Sequence, residues 1–120
     1  MISAKDVAQN ILENDKRNEE LLDRLKQKGV ALGEHRSVEH HFWAPGQDKA
    51  ALLARELYKR GYLLLALAPR PGTDSATQWW NIEAGIRRSP YDAASRKVTE
   101  ELANLAAQFD GVYDGWGTAV

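Results

Sequence analysis

From residue 31 onward, the apolar residues of this chain switch between a period of two and a period of 3.6, in an order that few folds accommodate. "RSVEHHFW" (Arg36 to Trp43) alternates, so Val38, His40 and Phe42 fall on one face of a strand and Glu39, His41 and Trp43 on the other. "APG" is expected to break it. Residues 48–60 are then helical. Ala50, Leu53, Ala54 and Leu57 lie on one face, Lys59 and Arg60 fall in the last turn, and Gly61 ends the helix. Tyr62 to Ala68, "YLLLALA", has the length and composition of a buried strand, followed by the loop "PRPGTDS" (Pro69 to Ser75). Residues 77–87 form a third strand, with Trp80, Ile82, Ala84 and Ile86 on its apolar face and Trp79, Asn81, Glu83, Gly85 and Arg87 on the other. "SPYDAASRKVTEELANLAAQF" is a single long helix with Ser89 as N-cap, Pro90 at the first position and a core stripe of Ala94, Val98, Leu102, Leu105, Ala106 and Phe109. Gly111 to Asp114 is a short last strand.

The order β-α-β-β-α-β specifies an α+β, ferredoxin-like plan: an antiparallel sheet with both helices on one face. A weak echo supports two β-α-β halves, because "KRGYLL" and "QFDGVYD" each run Gly, aromatic, strand.

Ahead of this domain (31–120), residues 1–30 form a helical extension. Val7, Ile11, Leu21, Leu22 and Leu25 are its apolar anchors, while Glu13 to Glu20 is wholly polar. The segment is either one long helix or two with a hinge, stopped at Gly29. A polar middle of this kind is expected to be solvated. If its apolar stripe stays uncovered, the helix can pair with a twofold copy, giving a homodimer.

The 120 residues suffice for one domain and one core. With no Cys, disulfides and thiolate chemistry are excluded, and a cytoplasmic setting fits. The N-terminus lacks the apolar region of a secretory signal, and no stretch approaches the ~20 apolar residues of a membrane span. A net charge of −1 argues against a broad basic surface.

Several constellations invite chemistry. His40 and His41 are adjacent and point to opposite faces, so they cannot chelate one ion together. A metal site would need His41, Glu39 and a ligand such as Glu83. No metal or other cofactor is expected. Glu39 and Glu83 could form a carboxylate pair, but more often such groups are solvated, and no nucleophile elbow or Gly-rich phosphate loop is present. The chain reads as a non-enzyme.

The four Trp residues carry more information. Trp43 and Trp79 fall on the sheet face away from the helices, which is open unless the N-terminal helix or C-terminal tail covers it. Exposed aromatics there suit a protein partner. Aromatics on such a face also stack RNA bases, but the basic RNP1 pattern is missing and Glu39 and Glu83 repel phosphate. Arg70, Arg87 and Arg88 make only a small basic edge, so direct nucleic-acid binding is disfavoured.

At the C-terminus, "YDGWG" (Tyr113 to Gly117) places Asp114-Gly115 as a tight-turn pair. That turn would fold Trp116 back against the first strand.

Taken together, "SVEHHFW", "LYKRGY" and "LAAQFDGVYDGWGT" resemble the RraB family, regulator of ribonuclease activity B. The specific part is Glu39-His40-His41 with Tyr113-Asp114-Gly115-Trp116-Gly117. The resemblance runs from about Leu21 to Thr118 and implies a ferredoxin-like fold. It further implies a non-enzymatic protein that binds the endoribonuclease RNase E, chiefly its C-terminal scaffold region, and modulates mRNA decay. It supplies no catalytic residues. Glu39, His40, His41, Tyr113, Asp114 and Trp116 are signature positions, and with Trp43 and Trp79 they are the candidate partner-binding set. The competing reading is a ligand- or metal-binding module with a closed pocket lined by His41, Glu39 and Trp116.

Overall fold

The computed structural model describes residues 2–71 and 78–120. The elements are α1 (Ala4–Gln27), β1 (Arg36–Pro45), α2 (Gln47–Lys59), β2 (Leu63–Pro69), β3 (Trp79–Arg88), α3 (Pro90–Ala93), α4 (Arg96–Gln108) and β4 (Val112–Gly117). The strands form one antiparallel sheet in the order β2-β3-β1-β4, the split β-α-β arrangement that the sequence specifies. Residues 72–75 of the expected loop and position 77 of the expected third strand lie outside the described residues.

One face of the sheet carries the core. Phe42, Ile82 and Tyr113 from the strands meet Leu53 and Leu57 of α2 and Leu102 and Leu105 of α4, all essentially inaccessible to water. Each such Leu contributes about 1.5–3 kcal/mol by burial, which makes this layer the main stabilising element.

Five local features depart from the sequence reading. First, β1 runs through Ala44 and Pro45 instead of breaking, with Pro45 at the end of the strand opposite Trp79. Second, the last long helix is two helices. Ser89 caps α3, its hydroxyl accepting from the Asp92 N–H at 3.1 Å, and Ser95 caps α4, accepting from the Val98 N–H at 3.2 Å. A second cap satisfies the amides that open a new helix, so the chain can break at Ala94 without orphaned donors.

Third, β2 is an edge strand and is largely exposed, not buried: Leu63 is 63% exposed, Leu64 43% and Leu65 49%. Tyr62, just before it, is buried.

Fourth, the C-terminal motif is not a turn. β4 extends to Gly117, and Asp114-Gly115 forms a bulge within it. His40 pairs with Trp116 and Phe42 with Tyr113, so one residue of β1 opposes two of β4. The bulge needs Gly115 at φ 86, which L side chains resist. A Cβ there would also lie 3.4 Å from Asn14 Oδ1. Gly115→Ala is expected to cost about 1–2 kcal/mol, read as a lowered urea midpoint with unchanged m-value.

Fifth, α1 is one continuous helix, and its polar middle is partly buried. It lies against α4 and the outer edge of β4, on the helical side of the sheet. Ile11 joins the main core, and Leu25 packs with Val38, Ala93 and Trp116. The apolar stripe is therefore occupied within the chain, which removes the uncovered surface that suggested a helix-mediated homodimer. It also leaves the far face of the sheet uncovered by this helix.

Candidate functional site

The two signature segments meet in space, because "EHH" and "YDGWG" are paired strands. Alternation then divides their residues between the two faces of the sheet.

On the core side, His40 is fully buried. Its Nε2 lies 3.2 Å from Arg88 Nη1 and its Nδ1 2.7 Å from the Tyr113 hydroxyl. A guanidinium only donates, so Nε2 must be the acceptor and Nδ1–H must donate to Tyr113 Oη. Burial, with the Arg88 charge and His41 adding to it, lowers the His40 pKa from 6.5 to about 3, so the ring is neutral. Burial likewise pushes the Tyr113 and Tyr62 hydroxyls up. Arg88 lies over the Tyr62 ring at 5.4 Å and closes this string at its outer end. Both imidazole nitrogens are occupied and the ring is sealed from solvent. Such a histidine is not available as a base or as a metal ligand to anything arriving from outside.

Trp116 is also buried on this side, and its indole N–H donates to Asn18 Oδ1 at 2.8 Å. The Asn18 amide donates to Thr99 Oγ1 at 3.1 Å and reaches the Ala94 carbonyl at 3.4 Å. One and two turns earlier, Asn14 and Asn10 both donate to the Tyr113 carbonyl, at 3.1 and 2.9 Å. That carbonyl lies on the outer edge strand at the bulge. Side-chain amides of α1 thus satisfy an edge that another chain could otherwise pair with. Among the described residues no buried side-chain polar atom lacks a hydrogen-bond partner.

The opposite face carries Glu39, His41 and Trp43 from β1 beside Trp79, Asn81, Glu83, Gly85 and Arg87 from β3. His41 pairs across the strands with Glu83, Nδ1 to Oε1 3.6 Å. Among the described residues no group of three or more His, Asp or Glu side chains is gathered to hold a metal ion. At one end of this face, Trp43 and Trp79 are half-buried, with the Arg70 guanidinium 5.5 Å from the Trp43 ring centre. The Trp43 indole donates to Asp114 Oδ2 at 3.2 Å, and Arg17 of α1 grips the other oxygen of that carboxylate at 3.0 Å. At the other end, Thr118 and Ala119 of the tail hydrogen-bond to Ser37 and Arg36 and cover one corner.

The trio His41, Glu39 and Trp116 does not form a pocket. Glu39 and His41 border Gly117 on the open face, whereas the Trp116 ring lies under α1 on the other. The bulge causes this, since the extra residue in β4 sets Trp116 on the same side as Tyr113.

A model of the family described as regulator of ribonuclease activity B matches residues 15–118, nearly the whole chain. The chain belongs to the RraB family. No curated protein matches it closely enough to count as a relative. The RraB match begins inside α1 and so takes in Asn18 together with both strands of the signature pair. No helix among the described residues is long and apolar enough to cross a membrane. Within this RraB chain, reading the sequence alone missed Asn14, Asn18 and Tyr62. It put Arg88 on a basic edge with Arg70 and Arg87, whereas alternation from Arg87 turns it to the core side against His40. Each of the four supports a signature residue. The signal for the two asparagines was their spacing, which continues the apolar stripe of α1.

Proposed function

We propose that this chain is a non-catalytic, cytoplasmic regulator that binds RNase E, chiefly through the C-terminal scaffold region of that enzyme, and modulates mRNA decay. The observation that carries this reading is the RraB match over residues 15–118. The site chemistry agrees with a binding role. The buried His40 string has no open coordination or proton-transfer position, and the half-buried Trp43 and Trp79 give the open face an aromatic patch beside Asp114 and Arg70. His40, Tyr113 and Trp116 then act as scaffold, and Glu39, His41, Trp43, Trp79 and Asp114 face the partner. Glu39 and Glu83 on that face disfavour phosphate, so the partner is a protein and not RNA.

The test is titration of the chain against RNase E fragments, with a purified RNA cleavage assay beside it. Micromolar or tighter binding to the C-terminal fragment is expected, with altered cleavage. Replacing Trp43 and Trp79 by Ala should weaken binding about 30-fold, the loss of one hot spot, while the variant stays folded and its melting temperature falls by only a few degrees. Absence of binding to any fragment, or binding to RNA alone, would overturn the reading.

A further inference from the structure

The open face has a second end, distinct from the tryptophan end. There a groove of about 510 Å³ runs between β2 and the start of β1, bordered by Glu39, Leu63, Leu65, Gly85, Arg87 and Thr118. Leu65 lies against Gly85 so closely that a Cβ on that glycine would sit 3.0 Å from a Leu65 methyl, so the floor is closed and apolar. The outer wall of the groove is a ridge of Leu63 and Leu65, 63% and 49% exposed, while Leu64, opposite Ala84, points to the other side of the strand. An edge strand with this many exposed apolar side chains and no charge from Tyr62 to Pro69 is a surface that a protein in water covers.

The charges around the groove say what covers it. Arg87 is exposed, gives one N–H to the His35 carbonyl at 3.3 Å, and forms no ion pair among the described residues. Glu39 likewise forms no ion pair among them. These two residues are diagonal neighbours on one face of the β1–β3 pair, where Glu39 opposes Gly85 and Arg87 opposes Ser37. One surface therefore offers a ridge, a groove, one cation and one anion, with both charges unused. That set is complementary to itself. Under a twofold axis the leucine ridge of each copy would enter the groove of the other and each Arg87 would meet the mate's Glu39, the reciprocity an isologous contact requires.

We infer that the β2 end of the open sheet face is the contact surface for a second copy of this chain. The contact is by side chains instead of strand addition. β2 carries an extra residue at Leu65, where Leu64 opposes Ala84 and Ala66 opposes Glu83, and it ends in Pro69, two features that blunt an edge against pairing. A standard interface takes about 800 Å² from each partner. Against a total surface of 7110 Å², that is about one ninth, and Trp43 and Trp79 lie outside the residues that line the groove.

The experiment is sedimentation equilibrium of the full chain, with circular dichroism confirming that each variant is folded. The wild type is expected at twice 13.4 kDa at about 100 μM protein. Leu63→Asp, Glu39→Arg and Arg87→Glu, all at solvent-facing positions, should each weaken association about tenfold or more. The double variant Glu39→Arg/Arg87→Glu recreates the pairs with the signs exchanged and should recover wild-type association to within about threefold. A wild type that stays at 13.4 kDa overturns the inference. So does a dimer indifferent to the reversals, or one that the double exchange fails to restore. RNase E binding is tested with the Trp43 and Trp79 variants, and Leu63→Asp and Arg87→Glu lie outside the residues assigned to that partner, so these two tell failure here from failure there.

Discussion

Replacing Asn18 by Leu is expected to lower the unfolding free energy by about 2–4 kcal/mol, although Leu has the better helix propensity and a similar volume. Asn18 is almost fully buried between α1, α4 and β4. Its carbonyl oxygen is the acceptor for the Trp116 indole, and its amide is the donor to Thr99 Oγ1. Leucine removes both functions at once and leaves the indole N–H without a partner in a site that excludes water. Each buried group orphaned in this way costs about 1–3 kcal/mol. Thr99 recovers part of the loss, since its hydroxyl already donates to the Ser95 carbonyl at 2.9 Å and can do without a second bond. Urea unfolding followed by Trp fluorescence reads the change as a shift in midpoint at constant m-value. Asn104 is the control. It is exposed on α4 and among the described residues its side chain bonds only within its own helix, to the Glu100 carbonyl at 2.8 Å, so Asn104→Leu should change stability by less than about 0.5 kcal/mol. Equal effects at the two positions would mean that α1 is not clamped through its amides.

The same residue shows where the sequence was legible and where it was not. Most of the strand and helix order came through because β1, α2, β3 and α4 each have a core face of mainly apolar residues, and periodicity detects those directly. α1 hid its inner face because two of its inward positions are asparagines. Ile11, Asn14, Asn18, Leu21 and Leu25 recur at steps of three and four, one continuous stripe when the amides are counted as inward. Asn14 is inward because the Tyr113 carbonyl on the edge strand needs a donor, and Asn18 because the buried Trp116 indole needs an acceptor, neither of which an aliphatic side chain can supply. β2 failed in the reverse direction. An apolar run of strand length reads as buried whether it lies at the centre of a sheet or at the edge, and strand order is not a local property of the run. The Asp114-Gly115 pair gave the correct backbone requirement, a positive φ, in the wrong setting. A bulge and a turn ask for the same glycine, and only the partner strand distinguishes them. At the candidate site, the opposite directions of His40 and His41 and the meeting of the two signature segments were both legible. The division of that signature between a buried half and an exposed half depended on the bulge, and so it was not.

Acid should destabilise this protein through His40 before its carboxylates protonate. The neutral ring is held in the folded state by burial and by the Arg88 charge, with a pKa lowered from 6.5 to about 3. The groups around it are Arg88, Tyr113, Tyr62 and His41, none of them a carboxylate that could compensate a proton. In the unfolded chain the same ring takes up a proton near its ordinary pKa of about 6.5. Between those two values the unfolded state binds one more proton than the folded state, so stability rises with pH across the window and is fully present above about pH 6.5. Descending from there, the loss approaches about 1.4 kcal/mol per pH unit, or about 2 kcal/mol by pH 5, and continues toward pH 3. His40→Gln isolates the effect. Its amide can donate to Tyr113 and its oxygen can accept from Arg88, while nothing at that position titrates. The variant will be less stable than wild type at pH 8, because the shape match to the ring is lost. The informative quantity is the difference in unfolding free energy between wild type and variant, which should shrink by about 2 kcal/mol from pH 8 to pH 5. A difference that stays constant over that range would show that His40 is protonated alike in both states. In that case the imidazole, the Tyr113 hydroxyl and the Arg88 guanidinium would not form a sealed string. With Nε2 free of Arg88, the ring would be able to exchange protons with solvent, and the scaffold role assigned to this half of the signature would fail with it.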